Sequence, residues 1–229
     1  MGVGTTAPTG AGPGARPGGC AARRRGGGPG LVALDRDPTL VGRINEILAP
    51  ASVYLTGLEA AVAESTDVEA ANAALVRVRD ALWAVSRDRL GTFAGVTSLR
   101  QDRPVPSDAG LAVLLSAQQA LSALDRLEVR GRDSAGLQVT VWDHGIDQDD
   151  PEVVARSADP LHRSGSVRVL DGGGLTFVVK ASAEIGELGD NTAVLRSALA
   201  ADGLLARALA APAVQGSLLG HPRWASVGL

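Results

Sequence analysis

The chain is poor in the residues that usually carry redox and metal chemistry. Cys20 is its single cysteine, so the sequence has no internal disulfide framework and is typical of a protein in a reducing compartment. Its three histidines, His144, His162 and His221, lie far apart with no cysteine at ligand spacing, which argues against a structural zinc site. Lys180 is the one lysine among 22 basic residues, and no motif around it indicates a Schiff base or a phosphate site. We therefore expect no metal and no other cofactor.

Long apolar runs and a strong charge imbalance are also missing. No apolar stretch approaches the ~18 residues that cross a bilayer. The net charge is only -3 over 229 residues, which gives no reason to expect a nucleic acid or a membrane surface as partner. Hydrophobic residues make up 45% of the chain, enough for a buried core. These features predict a cytoplasmic protein with no membrane association.

The first 30 residues differ in composition from the rest. They hold 11 of the 29 glycines, four prolines and four arginines, and they contain no acid. Such a segment has too little apolar surface to offset the entropy of ordering, so we expect a disordered leader over 1–30. The triplet Arg23–Arg25 followed by glycines also permits an interpretation as an RNA-binding tail, although it occurs once and without interleaved aromatics.

Helical patterns dominate the segment after the leader. A short apolar run at 31–34 is consistent with a buried strand. Residues 40–64 form helical material broken by Pro50, and 67–90 read as a stronger helix that could fold back on it as a hairpin. Residues 91–108 contain two prolines near their end and are predicted to be a loop.

Helices and strands are mixed in the second half, which indicates an α+β fold. Ser107 or Asp108 can cap a helix that reaches about residue 127. Apolar and polar residues alternate over 137–142, as in a half-buried strand. Residues 167–180 read as a β-hairpin with a glycine-rich turn, and a further helix is predicted from about 190 to 200.

Residues 131–136 resemble the nucleophile elbow of α/β-hydrolases but carry one residue too many before Ser134. That elbow lies between a strand and a helix, whereas here a helix precedes and a strand follows. Ser134 is therefore a poor candidate nucleophile. In purely structural terms, Asp133 and Ser134 can cap backbone amides at a helix-to-strand turn.

Two segments of the second half carry specific sequence patterns. Residues 127–136 read Leu-Glu-Val-Arg-Gly-Arg-Asp-Ser-Ala-Gly, and residues 221–228 read His-Pro-Arg-Trp-Ala-Ser-Val-Gly. Both resemble signature loops of the class II glutamine amidotransferases, and most closely those of the glucosamine-6-phosphate synthase group, which read Leu-Glu-Tyr-Arg-Gly-Tyr-Asp-Ser-Ala-Gly and His-Thr-Arg-Trp-Ala-Thr-His-Gly. The two departures in the second segment include Val227, which replaces a histidine. The resemblance covers about residues 107–228.

The resemblance implies roles for seven residues. Arg223 would hold the α-carboxylate of glutamine, Trp224 would shape the loop and Ser226 would supply a hydroxyl contact. The remaining four belong to the loops that frame the active centre: Arg130, Asp133, Ser134 and His221. A guanidinium fork suits a carboxylate because it donates two charge-assisted hydrogen bonds.

The family nucleophile is not found in this sequence. In the family it is an N-terminal cysteine whose own α-amine serves as general base. Removal of Met1 would expose Gly2, and Cys20 is followed by Ala21 inside the leader, so Cys20 is a poor candidate. The family's Asn-Gly oxyanion pair would lie beyond Leu229. We therefore expect a truncated fragment with little or no activity of its own.

On this resemblance the fold would be part of an αββα sandwich of the N-terminal-nucleophile type. Residues 31–229 would be an incomplete glutaminase domain, and 40–100 would be a helical insertion. The parent enzyme would transfer ammonia from glutamine to fructose 6-phosphate. The alternative interpretation is a non-catalytic helical interaction module with vestigial loops. Unpaired sheet edges would favour self-association in either case.

Overall fold

The computed structural model of the chain describes residues 28–62, 64–100, 106–131, 133–182 and 187–223. Over these residues the chain forms four antiparallel strands and several helices. The helices are α1 Gly28–Arg36, α2 Thr39–Val62, α3 Val68–Trp83, α4 Gly91–Arg100, α5 Asp108–Leu127, α6 Pro151–Ser157, α7 Asp190–Ala201 and α8 Gly203–Leu209. A π-helical segment, Ala84–Leu90, joins α3 to α4, and a 3-10 turn, Glu128–Arg130, follows α5. The strands are β1 Ser134–Trp142, β2 Val167–Val169, β3 Leu175–Ala181 and β4 Gln215–Arg223. The predicted mixed α+β class is confirmed.

The helical first half differs from the prediction at four places. Residues 31–34 lie in α1 and not in a strand, with Leu31 packed into the core. Helix α2 continues through Pro50. The predicted loop at 91–108 begins with α4, which buries Val96 and Leu99 against α5. The α-helical part of 67–90 ends at Trp83, where the π-helical segment takes over without a break in the helical path.

Helix α5 is the central helix and confirms its prediction. Ser107 caps it, because the Ser107 Oγ accepts the N–H of Gly110 at 2.9 Å. One side of α5 is a buried leucine stripe, as expected for an amphipathic helix. Its members are Leu111, Leu114, Leu121 and Leu124. Leu124 of this stripe, together with Val113, lies against the sheet at Gly220 and Gly216 of β4.

The sheet has the strand order β2-β3-β1-β4, with every neighbouring pair antiparallel. The alternation predicted for β1 is confirmed, since its buried residues are Ala135, Leu137, Val139 and Val141. The predicted β2–β3 hairpin is confirmed as well. Helices α5 and α7 pack against the sheet on the side of those four residues.

The opposite face of the sheet is exposed over much of β1 and β4. Gln138 and Leu219 lie side by side on it, and Leu219 is 66% exposed. Thr140 and Thr176 share a hydrogen bond of 2.8 Å across β1 and β3 on the same face. The residues after Leu219, predicted to be a loop, instead continue β4 as far as Arg223. This exposed face therefore extends to the end of β4.

Candidate functional site

The two segments that carry the family resemblance meet at one end of the sheet. Ser134, the first residue of β1, pairs with Arg223, the last residue of β4. The backbone N–H of Asp133 donates a hydrogen bond to the carbonyl of Arg223 at 3.2 Å. Gly136 then pairs with His221. The antiparallel register thus places two segments that are distant in sequence side by side.

Gly131 allows the turn before β1 to approach the end of β4 closely. A Cβ built on Gly131 would lie 3.2 Å from backbone atoms of Arg223 and 3.3 Å from the carbonyl carbon of Pro222, which is tighter than most packed side chains reach. The N–H of Gly131 donates to the Glu128 carbonyl at 3.2 Å, which closes the 3-10 turn. A side chain at this position would push the end of β4 away by a few tenths of an ångström, so glycine suits the point where the turn passes over the strand end.

Glu128 holds the other side of the same turn and was not singled out from the sequence. Its side chain is buried, and its carboxylate accepts the backbone N–H groups of Gly189 and Asn191 at the start of α7. The Asn191 bond measures 3.2 Å. A carboxylate at a helix N-terminus satisfies donors that have no partner within the helix. A glutamate directly after an apolar helical stripe was the sequence signal that could have found it.

The side chains expected at the site occupy different positions. Ser134, His221 and Arg223 share the exposed face, and His221 and Arg223 are solvent-exposed. Arg130 lies in the 3-10 turn and is exposed, while Asp133 is partly exposed, with its carbonyl within 3.4 Å of the Ser182 hydroxyl. The two other residues expected to contact glutamine, Trp224 and Ser226, lie outside the described residues. The same holds for Cys20, the poor candidate nucleophile.

The exposed face is basic. The strands contain three charged residues, Arg168, Lys180 and Arg223, and all three are cations. The register puts all three on the face that points away from α5, since Arg168 pairs with Thr176 and Lys180 pairs with Gly136. This concentration of positive charge contrasts with a chain whose net charge is -3.

The cation farthest from the two signature segments is tied to a neighbouring loop. Arg168 donates to the Asp159 carbonyl at 3.2 Å and contacts the His162 ring. Within the part of the chain that the structure describes, Lys180 and Arg223 take part in no ion pair. Of the three strand cations, those two are the ones whose side chains form no hydrogen bond or ion pair with other described residues.

The other two histidines serve the fold away from this end of the sheet. His144 is buried, and its Nδ1 accepts the Ile146 N–H at 3.1 Å. Its Nε2 lies 2.9 Å from the Gly173 carbonyl and must therefore carry the proton. His162 occupies a left-handed backbone conformation, with φ 50°. Neither ring lies in the segments that meet at Ser134 and Arg223.

Comparison of the chain with protein-family models, with curated proteins and with solved structures finds no match. None of the described helices combines the length and the hydropathy of a bilayer span. Among the described side chains, no three histidine, cysteine, aspartate or glutamate residues gather as metal ligands would.

Proposed function

We propose that the end of the sheet at Ser134 and Arg223 binds L-glutamine in the manner of a class II glutamine amidotransferase. The observation that supports this most is the register of β1 against β4. Two segments that resemble signature loops of one family become neighbouring strand ends, joined by the Asp133–Arg223 backbone hydrogen bond of 3.2 Å. A chance resemblance in two separate loops carries no expectation of such contact.

Arg223 is the residue proposed to hold the substrate. Its guanidinium is exposed at the strand end and can donate a bidentate pair of hydrogen bonds to the α-carboxylate of glutamine. Ser134 lies directly across from it and offers a hydroxyl to the same ligand. Asp133 directly precedes the strand and supplies the nearest acid in sequence for the α-ammonium group.

We propose binding without hydrolysis for the described part of the chain. Acyl transfer from glutamine needs a nucleophile beside a base, and the described residues contain no cysteine. In the proposed family relationship, the sheet would be one of the two central sheets of an αββα sandwich. The exposed face would then be the side turned toward the second sheet, and fructose 6-phosphate would be the acceptor of the complete enzyme.

Calorimetric titration with L-glutamine tests the proposal. We expect the wild-type chain to bind glutamine stereospecifically and Arg223→Gln to bind it about 10- to 100-fold more weakly, as removal of a charge-assisted bidentate contact predicts. Arg126→Gln, at an exposed position on α5, is the matched control and should bind like wild type. A wild-type chain that ignores millimolar L-glutamine would refute the proposal.

A helical interaction surface is a second candidate function, because the α2–α3 pair is unusually apolar on its outside. Helix α2 buries no residue, and Ile47, Val53 and Tyr54 are 66 to 74% exposed. Trp83, at the end of α3, is 58% exposed. Self-association through this surface would give a concentration-dependent mass in sedimentation equilibrium that Ile47→Glu abolishes. A monomeric wild-type chain would eliminate self-association as the role of this surface.

A further inference from the structure

One row of the exposed sheet face places Lys180 and His221 on either side of Gly136. Gly136 pairs with Lys180 on β3 and with His221 on β4. Directly opposed residues of antiparallel strands project from the same face. Their neighbours Leu137, Val179 and Ala181 are buried on the helix side, so Lys180, Gly136 and His221 all point to the exposed side. The middle strand thus contributes no side chain to this row.

The absence of a side chain at Gly136 leaves a shallow groove between Lys180 and His221, which we call the trench. Among the described residues, a Cβ at Gly136 would meet only the Val179 carbonyl oxygen, at 3.8 Å, so none of them fills the space above the glycine. Strand spacing puts the Cα atoms of Lys180 and His221 about 10 Å apart, with bare backbone between them. The long side chain of Lys180 can lean toward a ligand that lies over Gly136, beside the shorter His221.

A second cation lies one row further along the same face. Arg223 pairs with Ser134, two residues before Gly136 on β1, which is about 7 Å along the strand. No strand of the sheet contains an acid. Lys180 and Arg223 therefore face the trench from opposite strands with no carboxylate of the sheet to neutralise them. Two separated positive charges, Lys180 and Arg223, next to the bare backbone of Gly136 suit a ligand with two separated negative charges.

We propose that Lys180 makes the trench a dicarboxylate site. Arg223 takes one carboxylate and Lys180, across Gly136, takes the other, so that L-glutamate is held in preference to L-glutamine. The Arg223 end of this site rests on the proposed function, whereas the Lys180 end rests on the register and on Gly136. In an amidotransferase setting, Lys180 is then a residue that retains the product glutamate.

The expected preference is modest, because Lys180 is exposed. Solvent screens an exposed ion pair, so we expect glutamate to bind about three- to tenfold more tightly than glutamine at low salt, with the difference shrinking as salt is added. Glutarate keeps both carboxylates of glutamate but has no α-ammonium group. It should therefore also depend on Lys180.

The test is calorimetric titration of the full chain with L-glutamine, L-glutamate and glutarate in wild type, Lys180→Gln and Lys180→Arg. Lys180→Gln should lose the preference for glutamate while its glutamine affinity stays unchanged, and Lys180→Arg should keep the preference. Equal weakening of glutamine and glutamate, or a preference that survives Lys180→Gln, would overturn the inference and leave the proposed function standing.

Glutarate separates the two ideas if glutamine itself does not bind. Glutarate binding that Lys180→Gln abolishes would support the trench without the amidotransferase proposal. Failure of wild type to bind either diacid at millimolar concentration would overturn the trench site. Gly136→Leu, which fills the trench from below, should abolish the glutamate preference, whereas Gly136→Ala should retain most of it because the added methyl group meets no close contact. Far-ultraviolet circular dichroism checks that both variants fold.

Discussion

The buried carboxylate of Glu128 accepts the backbone N–H of Asn191 at 3.2 Å, and so the turn before β1 is fastened to the first turn of α7. Gly189 donates to the other carboxylate oxygen from a left-handed conformation with φ 101°. Nearby, the Thr192 hydroxyl donates to the Asp125 side chain at 3.2 Å, which adds a second link between α5 and α7. The candidate site is thus supported by one helix that ends beneath it and another that begins there.

Substitution of Glu128 should destabilise the whole fold. Glu128→Gln removes the charge that accepts two backbone N–H groups and turns an amide donor toward one of them. Loss of buried charge-assisted hydrogen bonds predicts a decrease of about 2 to 3 kcal/mol in the free energy of unfolding. Urea denaturation measures it, with the exposed Glu46→Gln as control. A decrease no larger than that of the control would show that the cap contributes little.

Gly131 should matter for ligand binding more than for stability. A Cβ at this position would press on the backbone of Arg223 and Pro222 from 3.2 to 3.3 Å. Gly131→Val should therefore move the end of β4 and weaken glutamine binding several-fold, while the core under β1 stays packed. Titration calorimetry and thermal denaturation together measure this split. Unchanged affinity in Gly131→Val would mean that the turn does not position Arg223.

Arg156 and Asp202 form the best-buried ion pair among those described. The guanidinium donates to both carboxylate oxygens of Asp202, one at 2.9 Å, and its carbon lies 5.6 Å from the centre of the Phe177 ring. The hydrogen bonds to Asp202 raise the pKa of Arg156. Asp202 also caps α8, because it accepts the Leu205 N–H at 3.0 Å. Arg156 thus joins α6 to the start of α8.

Removal of one member of that pair should leave the other charge poorly compensated. Arg156→Ala should cost about 3 kcal/mol of the free energy of unfolding. Arg36→Ala breaks a pair whose side chains are 68% and 59% exposed, so it should cost under about 1 kcal/mol. Chemical denaturation of the two variants gives the comparison. Similar losses in both would contradict the assignment of Arg156 to a stabilising role.

The loss of folding stability at low pH should depend on Asp159. The hydrogen bond from Arg163, followed by that from the Leu161 N–H, lowers the pKa of Asp159 from 3.8 to about 2. A lowered pKa in the folded state stabilises the fold above pH 3.8, and this contribution is lost as the pH falls through 2. Urea midpoints measured from pH 5 to pH 2 should therefore fall less steeply in Asp159→Asn than in wild type. Asp171→Asn, in the β2–β3 turn, is the control, and an equal slope in wild type and Asp159→Asn would refute the prediction.

The elements that the sequence predicted well are those whose local pattern agrees with their packing. Helix α5 has a capping serine and a leucine stripe at helical spacing, and β1 alternates strictly. Residues 31–34 were assigned wrongly because four apolar residues in a row fit a buried strand and a helix equally well. Helix α4 was missed because the loop predicted from the two prolines near residue 105 was extended back to residue 91. Gly95 in this helix lies against Gln118 of α5, where a Cβ would be 2.4 Å from the amide carbon.

The residues of the candidate site could be predicted from the sequence, but their arrangement at one end of the sheet could not. The sequence of β4 does not read as a strand because Gly216, Gly220 and Pro222 are poor strand formers. Both glycines face α5, where a Cβ at Gly216 would lie 2.7 Å from the Val113 side chain. The strand therefore forms because the helix can approach it, and the pairing of Ser134 with Arg223 follows from that tertiary contact. No local pattern contains it.

All charged residues of the strands lie on the face away from α5, and this has a consequence for how the strands align during folding. A shift of β4 by one residue against β1 would turn His221 and Arg223 toward α5 and bring Gly216 and Gly220 to the solvent side. The same shift of β3 would bury the ammonium group of Lys180 among apolar side chains. A sheet misaligned by one residue would thus have to desolvate a cation, so Lys180 and Arg223, the residues proposed to attract a carboxylate, also penalise a one-residue shift of the strands that carry them.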